Sequence, residues 1–348
     1  MARPIVAIVS FRLGGSDGVS VEAAKWGRAL GTLGFDVVTV AGDGPVDRLL
    51  PGLAIDAHEP PTAGDLDAAL DDADLVVVEN LCSLPLNPAA GALVATRLRG
   101  RRALLHHHDL PWQRERFAGF PPPPDDLAWA HVTTTDLSRL ELARHGLRAI
   151  TVHNAFDTVA VAGDGDAART AIGVEPDERL VLQPTRAIAR KNVPEGLALA
   201  GALGATYWLL GAAEDGFDAE LDAIVGRAPT RVVHGHGPGA ALPMADVYAA
   251  ADAVVLPSNW EGFGNPSVES AVHRRPLAVG HYPVASELAA YGFRWFPSDE
   301  AGPLRHFLEA PDTSLIEHNH RVADRHFAQR DLPRRIGRVL GEMGWSCP

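Results

Sequence analysis

Residues 257–272, PSNWEGFGNPSVESAV, set two carboxylates eight positions apart around a glycine-bearing loop. The apolar run AVVLPS (253–258) ends in Ser258, and Glu261 follows in a loop with Gly262, Phe263, Gly264 and Asn265. Pro266 suits the first helical position with Asn265 as N-cap, which puts Glu269 on the first turns of a helix. Glycines let backbone N–H groups come close to a ligand, and a helix N-terminus favours an anion. A carboxylate beside an anion is costly unless it accepts hydrogen bonds from neutral hydroxyls. A sugar carried on a diphosphate meets both conditions. A second set lies at residues 183–192, QPTRAIARKN. Arg186 and Lys191 are five apart across a turn into a helix, a spacing from which both cations reach one diphosphate and balance charge developing on a leaving phosphate. Arg190, adjacent to Lys191, fits a solvated surface position.

The first half of the chain offers two weaker sets. Gly14-Gly15-Ser16-Asp17-Gly18 follows an apolar run, as does the glycine loop of nicotinamide-dependent Rossmann enzymes. The fingerprint G-x-G-x-x-G is absent, however, and Val40 leads into Ala41-Gly42, so no acidic residue is expected at the end of the second strand. His106-His107-His108-Asp109 ends another strand, so 106 and 108 share a face and 107 opposes them. Such an i, i+2 pair needs a third metal ligand, and none is visible nearby in sequence. With no D-x-D motif at a strand end either, no metal is expected.

The elements that must position these groups alternate. Residues 4–10 (PIVAIVS) read as a strand, 19–33 as a helix and 35–42 (FDVVTVAG) as a second strand, a βαβ unit that favours a parallel sheet. Further apolar runs at 75–79, 102–108, 130–135 and 149–154 complete one α/β domain. Residues 158–174 read as a linker of small residues with a Gly-Asp turn. A second series follows at 179–185, 205–211, 230–235, 253–258 and 275–280, and the end of the chain reads as two helices split at Pro333. The expected domains are 1–157, 158–318 and a helical 319–348 that crosses back to the first. Tandem doubly wound domains place ligands beyond the carboxyl ends of the parallel strands, in the cleft between them.

Composition fits this picture. The 348 residues are 46% hydrophobic and 22% charged, with a net charge of -13 that disfavours nucleic acid as a partner. No apolar run reaches the roughly 18 residues of a membrane span, and Met1–Ser10 runs into Arg12 and a glycine turn rather than a signal-peptide cleavage site. The reading is a cytoplasmic protein. Cys82 and Cys347 lack the spacing of a disulfide framework or a zinc site. Among the 31 basic residues only Lys25 and Lys191 are lysines.

The E-x7-E spacing with its glycines and Asn-Pro helix start resembles the signature of the retaining GT-B glycosyltransferases of family 4. The resemblance implies two Rossmann-like doubly wound α/β domains facing across a cleft. It implies that a hexose passes from a UDP- or GDP-sugar to an acceptor hydroxyl with retention, the leaving phosphate helping to deprotonate the acceptor from the front face. Carried over, Glu261 holds the donor sugar, Glu269 the ribose, and Arg186 and Lys191 the diphosphate. Gly15, Gly262, Phe263, Gly264 and Asn265 border the donor, and His108 lies against its sugar. The stretch Asp109-Leu110-Pro111-Trp112-Gln113-Arg114 is similar to a subset that includes mannosylglucosylglycerate synthases. It implies a small polar acceptor, anionic where Arg114 meets it, bordered by Ser16, Asp17, Asp109, Trp112 and Arg114. His153-Asn154-Ala155 stands at the family's Asn-Gly turn between domains, with Ala155 departing from the glycine. The competing readings are a nucleotide-sugar-binding subunit without turnover and a NAD-dependent oxidoreductase on tandem Rossmann domains. No cofactor is expected, and oligomeric state is not legible.

Overall fold

The computed structural model of the chain describes residues 2–15, 17–159, 162–237 and 241–345. They form two compact units, Met1–Ala155 with Gln329–Pro348, and Phe156–Ala328. No helix among the described residues is long and apolar enough to cross a membrane.

The first unit runs β1 (Ile5–Arg12), α1 (Gly18–Thr32), β2 (Asp36–Asp43), β3 (Arg48–Leu49), α2 (Ala63–Leu70), β4 (Leu75–Glu79), α3 (Pro88–Leu98), β5 (Ala103–His107), β6 (Trp129–Thr133), α4 (Asp136–Arg144) and β7 (Ala149–Thr151). Its sheet has the order β3-β2-β1-β4-β5-β6-β7 with every pair parallel. Strands covered on both faces read as continuous apolar runs, and all five residues of β4, LVVVE, are buried. Alternate residues feed two core layers. Val6, Ile8, Val77 and Leu104 pack with Trp26 and Leu30 of α1, whereas Val9, Val76, Val78 and Leu105 pack with Leu66 of α2 and Val94 of α3.

The second unit runs α5 (Gly165–Ile172), β8 (Leu180–Gln183), α6 (Val193–Ala202), β9 (Thr206–Leu209), α7 (Asp218–Val225), β10 (Val232–His234), α8 (Met244–Ala250), β11 (Ala253–Leu256), α9 (Asn265–Val272), β12 (Leu277–Val279), α10 (Pro283–Ala290), β13 (Phe296–Pro297), α11 (Ala301–Glu309) and α12 (Thr313–Phe327). Its six strands pair in parallel in the order β10-β9-β8-β11-β12-β13. Finally α13 (Leu332–Glu342), with Pro333 in its first turn, lays Ile336, Val339 and Leu340 into the α1 side of the first unit's core. Strand order reverses between β1 and β4 in one sheet and between β8 and β11 in the other. The carboxyl ends of these four strands are where a doubly wound sheet opens a crevice.

Four details depart from the sequence reading. Residues 158–174 are not only a linker, because α5 lies within them, capped by Asp164, whose Oδ1 accepts from Ala167 N (2.9 Å). The small residues permit close helix approach: a Cβ on Gly163 would fall 2.1 Å from Ala245 O. Helix α12 belongs to the second unit, where Phe327 stacks on Phe293, so the terminal segment of the first unit starts at Gln329 and not at 319. Strand β2 extends to Asp43, an acidic residue at the end of the second strand after all, because Arg12 and Asp43 still pair. The cap of α9 is Gly264 at φ +86°, with Asn265 already helical, since only glycine takes this left-handed turn freely.

Candidate functional site

The turn after β8 and the loop after β11 meet at one carboxylate. Glu261 is 5% exposed and Lys191 7%. Lys191 Nζ is bonded to Glu261 Oε1, which also accepts from Ser258 Oγ at 2.5 Å. Arg190 Nη1 donates to Glu261 Oε2 at 3.0 Å and to Trp260 O at 2.8 Å, and Asn259 N donates to Arg190 O at 2.9 Å. Arg190, partly exposed, is the second cation of this cluster. The 3-10 turn Ala189–Lys191 ends at Asn192, whose φ of +50° starts α6 and turns Lys191 inward.

Burial opposes the charge of Glu261, yet Lys191 and Arg190 outweigh it and hold the carboxyl below the usual range. For Lys191 burial prevails over the attraction of Glu261 and lowers its pKa, with Arg190 and Arg186 adding to the effect. Two cations around one carboxylate form a site that a phosphate can enter by exchanging partners with Glu261. Arg186 lies apart from that cluster: its Nη1 donates to Glu214 Oε2 at 2.5 Å, on a half-exposed surface. The five-residue spacing brings Lys191 to Glu261 and leaves Arg186 on Glu214, a carboxylate the sequence reading did not single out.

Glu269 projects from α9, and its Oε2 accepts from Tyr248 Oη at 2.7 Å. Tyr248 is fully buried and stacks on His273 with ring centroids 4.7 Å apart. No sequence signal marked Tyr248, because it reads as one more apolar residue of α8. Phe263 is buried in its own unit between Phe156 and Phe327, each 6.1 Å away between centroids. Any contact of Phe263 with a ligand is left to its backbone, like that of Gly262 and Gly264 beside it.

In the first unit, Asp17 caps α1: Oδ1 accepts from Val19 N and Ser20 N, both 3.2 Å, and Arg12 Nε lies 3.2 Å from Oδ2. Gly15 is exposed beside it, and Ser16 lies outside the described residues. His106 and His108 do share a face, and they share a partner, Glu79. His108 Nε2 lies 2.6 Å from Glu79 Oε2, and His106 Nδ1 lies 2.9 Å from the same oxygen, off the line of a hydrogen bond. On the opposite face, His107 Nε2 meets His131 Nδ1 at 2.8 Å, and His131 Nε2 meets Asp125 Oδ1 at 3.1 Å.

Glu79 is the third donor that sequence reading did not find, since the ligating atoms of Glu79, His106 and His108 lie within 4.8 Å of one another. The 2.6 and 2.9 Å separations are nevertheless hydrogen-bonding distances. A tetrahedral zinc site with its usual bond lengths holds donors about 3.3 Å apart. Signals for this cluster existed in LVVVEN, a carboxylate and an amide closing an otherwise apolar strand. A second buried pair, Lys25 Nζ to Glu22 Oε1 at 2.5 Å on α1, accounts for the other lysine.

The loop after β5 is tied down by its own residues. Arg114 Nη2 donates to Asp109 Oδ2 at 2.6 Å, so the guanidinium already carries a carboxylate. Trp112 Nε1 donates to Glu141 Oε2 at 3.0 Å and its ring stacks on His145 at 4.1 Å, which anchors the loop on α4. Cys82 is half-buried, with its thiol pushed up to about 12 by desolvation, and Cys347 lies outside the described residues.

Proteins of known structure share this architecture. Solved as a complex with UDP and glucose, Anabaena Alr3699/HepE superimposes with a TM-score of 0.76, covering 97% of this chain and 100% of that one at 17% identity. The chain has the GT-B fold. Among curated sequences, mannosylglucosylglycerate synthase of Thermotoga maritima is 24% identical over 96% of this chain and 99% of its own length. The enzyme of that name from Petrotoga mobilis is also 24% identical, over 83% of this chain and 85% of its own. No family model matches the sequence. In GT-B terms, the Lys191–Glu261 cluster and Glu269 belong to the C-terminal Rossmann-like unit, and Glu79 and His108 to the N-terminal one.

Proposed function

We propose that the chain is a retaining glycosyltransferase that moves a hexose from a UDP- or GDP-sugar to a hydroxyl of a small polar acceptor in the cytoplasm, without a metal. The observation that carries this reading is the buried Lys191–Glu261–Arg190–Ser258 cluster at the reversal between β8 and β11. When a donor binds, its diphosphate takes Lys191, with Arg186 turning from Glu214, while Glu261 exchanges its cations for sugar hydroxyls. As the glycosidic bond breaks, the ammonium and guanidinium stabilise the charge gathering on the β-phosphate, the role a divalent ion fills elsewhere. That same phosphate oxygen accepts the acceptor's proton on the front face.

Glu269, held by Tyr248, takes the ribose diol. His108 is assigned to the donor sugar, Gly15 to the donor phosphates, and Asp17, Asp109, Trp112 and Arg114 to the acceptor. The name shared by the two curated relatives supports a glycerate-bearing acceptor. Such an anion has to draw Arg114 from Asp109. HepE bound to UDP and glucose supports uridine over guanosine in the donor.

Thermal stabilisation by UDP, GDP, ADP, NAD and NADP tests the reading. A ligand at a hundred times its Kd stabilises the folded state by about 2.7 kcal/mol. One nucleoside diphosphate is expected to raise Tm and the dinucleotides to leave it unchanged; a rise with NAD or NADP alone refutes the assignment. Sugar transfer then separates an enzyme from a binding subunit. Glu269→Ala is expected to weaken the bare nucleoside diphosphate about tenfold in calorimetry, since a charge-assisted pair of ribose hydrogen bonds is lost. Unchanged affinity removes Glu269 from the site.

A further inference from the structure

Glu79 is the last residue of β4, on the strand where the order of the first sheet reverses, and its side chain is fully buried. A carboxylate there is costly without partners, and apolar residues fill the other four positions of the strand. It has two histidine partners, His106 and His108, and the closer is His108. Oε2 of Glu79 contacts His108 Nε2 at 2.6 Å. The next residue, Asn80, sits at φ +57°, and its Oδ1 accepts from the backbone N of His108 at 2.7 Å and of Asp109 at 3.3 Å. Two successive side chains at the end of β4 thus hold the ring and the backbone of His108.

We propose that Glu79 is a positioning residue for sugar transfer, orienting the His108 ring through Nε2 so that Nδ1 is presented to the donor. This rests on the assignment of His108 in the proposed function. Glu79 is held down to about 2: burial pushes it up, and His106 and His108 outweigh that. An ionised carboxylate only accepts, so Nε2 carries the proton. Nδ1 of His108 has no hydrogen-bond partner among the described residues. The groups around the ring are Glu79 on β4, His106 on β5, Glu22 and Lys25 on α1, and Asp109 in the following loop, itself paired with Arg114. Burial opposes charge on His108, but Glu79 raises its pKa, with Glu22 and Asp109 adding to the effect. Burial keeps His106 below its usual value, so the shared carboxylate serves one cation. When the ring is protonated, His108 offers Nδ1–H as a donor to an oxygen of the sugar.

Nitrogen-15 NMR of the full chain labelled at histidine tests this, with His108→Gln used only to assign the resonance. The wild-type His108 ring is expected to titrate above the ordinary 6.5, and to titrate lower in Glu79→Gln. A wild-type His108 that titrates below 6.5 overturns the proposal, and this reading needs no variant to fold. In Glu79→Gln, kcat is expected to fall about 10- to 100-fold, as when a carboxylate orienting a functional imidazole is lost. Affinity for the nucleoside diphosphate is expected to stay within twofold, and a parallel loss of affinity also overturns the proposal. A wild type whose His108 titrates above 6.5 but that transfers sugar from no donor refutes the glycosyltransferase reading, not the Glu79–His108 geometry.

Discussion

Lys191→Ala is expected to weaken binding of the nucleoside diphosphate by about 3 kcal/mol, roughly a hundredfold, the cost of truncating one partner of a buried charge pair. The physical reason is the lack of a substitute. Arg186 is half-exposed and bound to Glu214, and Arg190 is held by the carbonyl of Trp260 as well as by Glu261. Neither replaces an ammonium at the end of β8. Removing one member of a buried pair costs up to about 3–5 kcal/mol of stability where the other is left alone. Here Glu261 keeps Arg190 and Ser258, so the loss of stability is expected to lie well below that range and the fold to persist. Calorimetric titration with UDP and GDP, alongside a melt by circular dichroism, checks both. Full affinity in a folded variant removes the diphosphate from this cluster.

Glu261→Gln separates binding from turnover. In the unliganded protein Glu261 neutralises Lys191 and Arg190, and a phosphate has to compete with it for them. Without that carboxylate, affinity for the bare nucleoside diphosphate is expected to rise, whereas kcat is expected to fall about 100- to 1000-fold. That is the size of loss found when a polar group aimed at the reacting centre is removed. The two changes have opposite signs, which a general unfolding does not produce. Equal falls in both refute the assigned role.

The same variant changes acid stability. The folded pKa of Glu261 is lowered from 4.5, so its contribution is present above the unfolded value and is lost as pH falls through the folded one. A titratable loss below pH 4.5 is thus expected in the wild type and is smaller in Glu261→Gln, although the variant starts from a lower stability because two cations have lost their carboxylate. Urea melts between pH 3 and 7 measure the difference.

Much of this protein was legible before its coordinates. Parallel strands covered on both faces announce themselves as short Val- and Ile-rich runs, and LVVVE, AVVL and LVLQ all became strands in two parallel sheets. The alternation of side chains along a strand foretold that His106 and His108 share a face and His107 opposes them. Glycine and proline marked the loop from Ser258 to the start of α9 to within one residue, because both act through their own backbone. These signals are local, carried by residues adjacent or a few positions apart.

Contacts between distant residues leave no such trace. Arg190 and Glu261 are 71 positions apart, Arg186 and Glu214 are 28, and His108 and Glu79 are 29. Which cation meets which carboxylate depended on strand order, and the five-residue spacing carries no sign that Lys191 pairs with Glu261 and Arg186 with Glu214. Helix α5 was missed for a related reason: small residues that signal a turn in isolation are also what a close helix contact requires. Local patterns along the chain are enough to specify the doubly wound units and the chemical types available at their strand ends. The pairings among those groups arise on folding, since the energy of a buried charge is set by neighbours that the chain brings together from its far side.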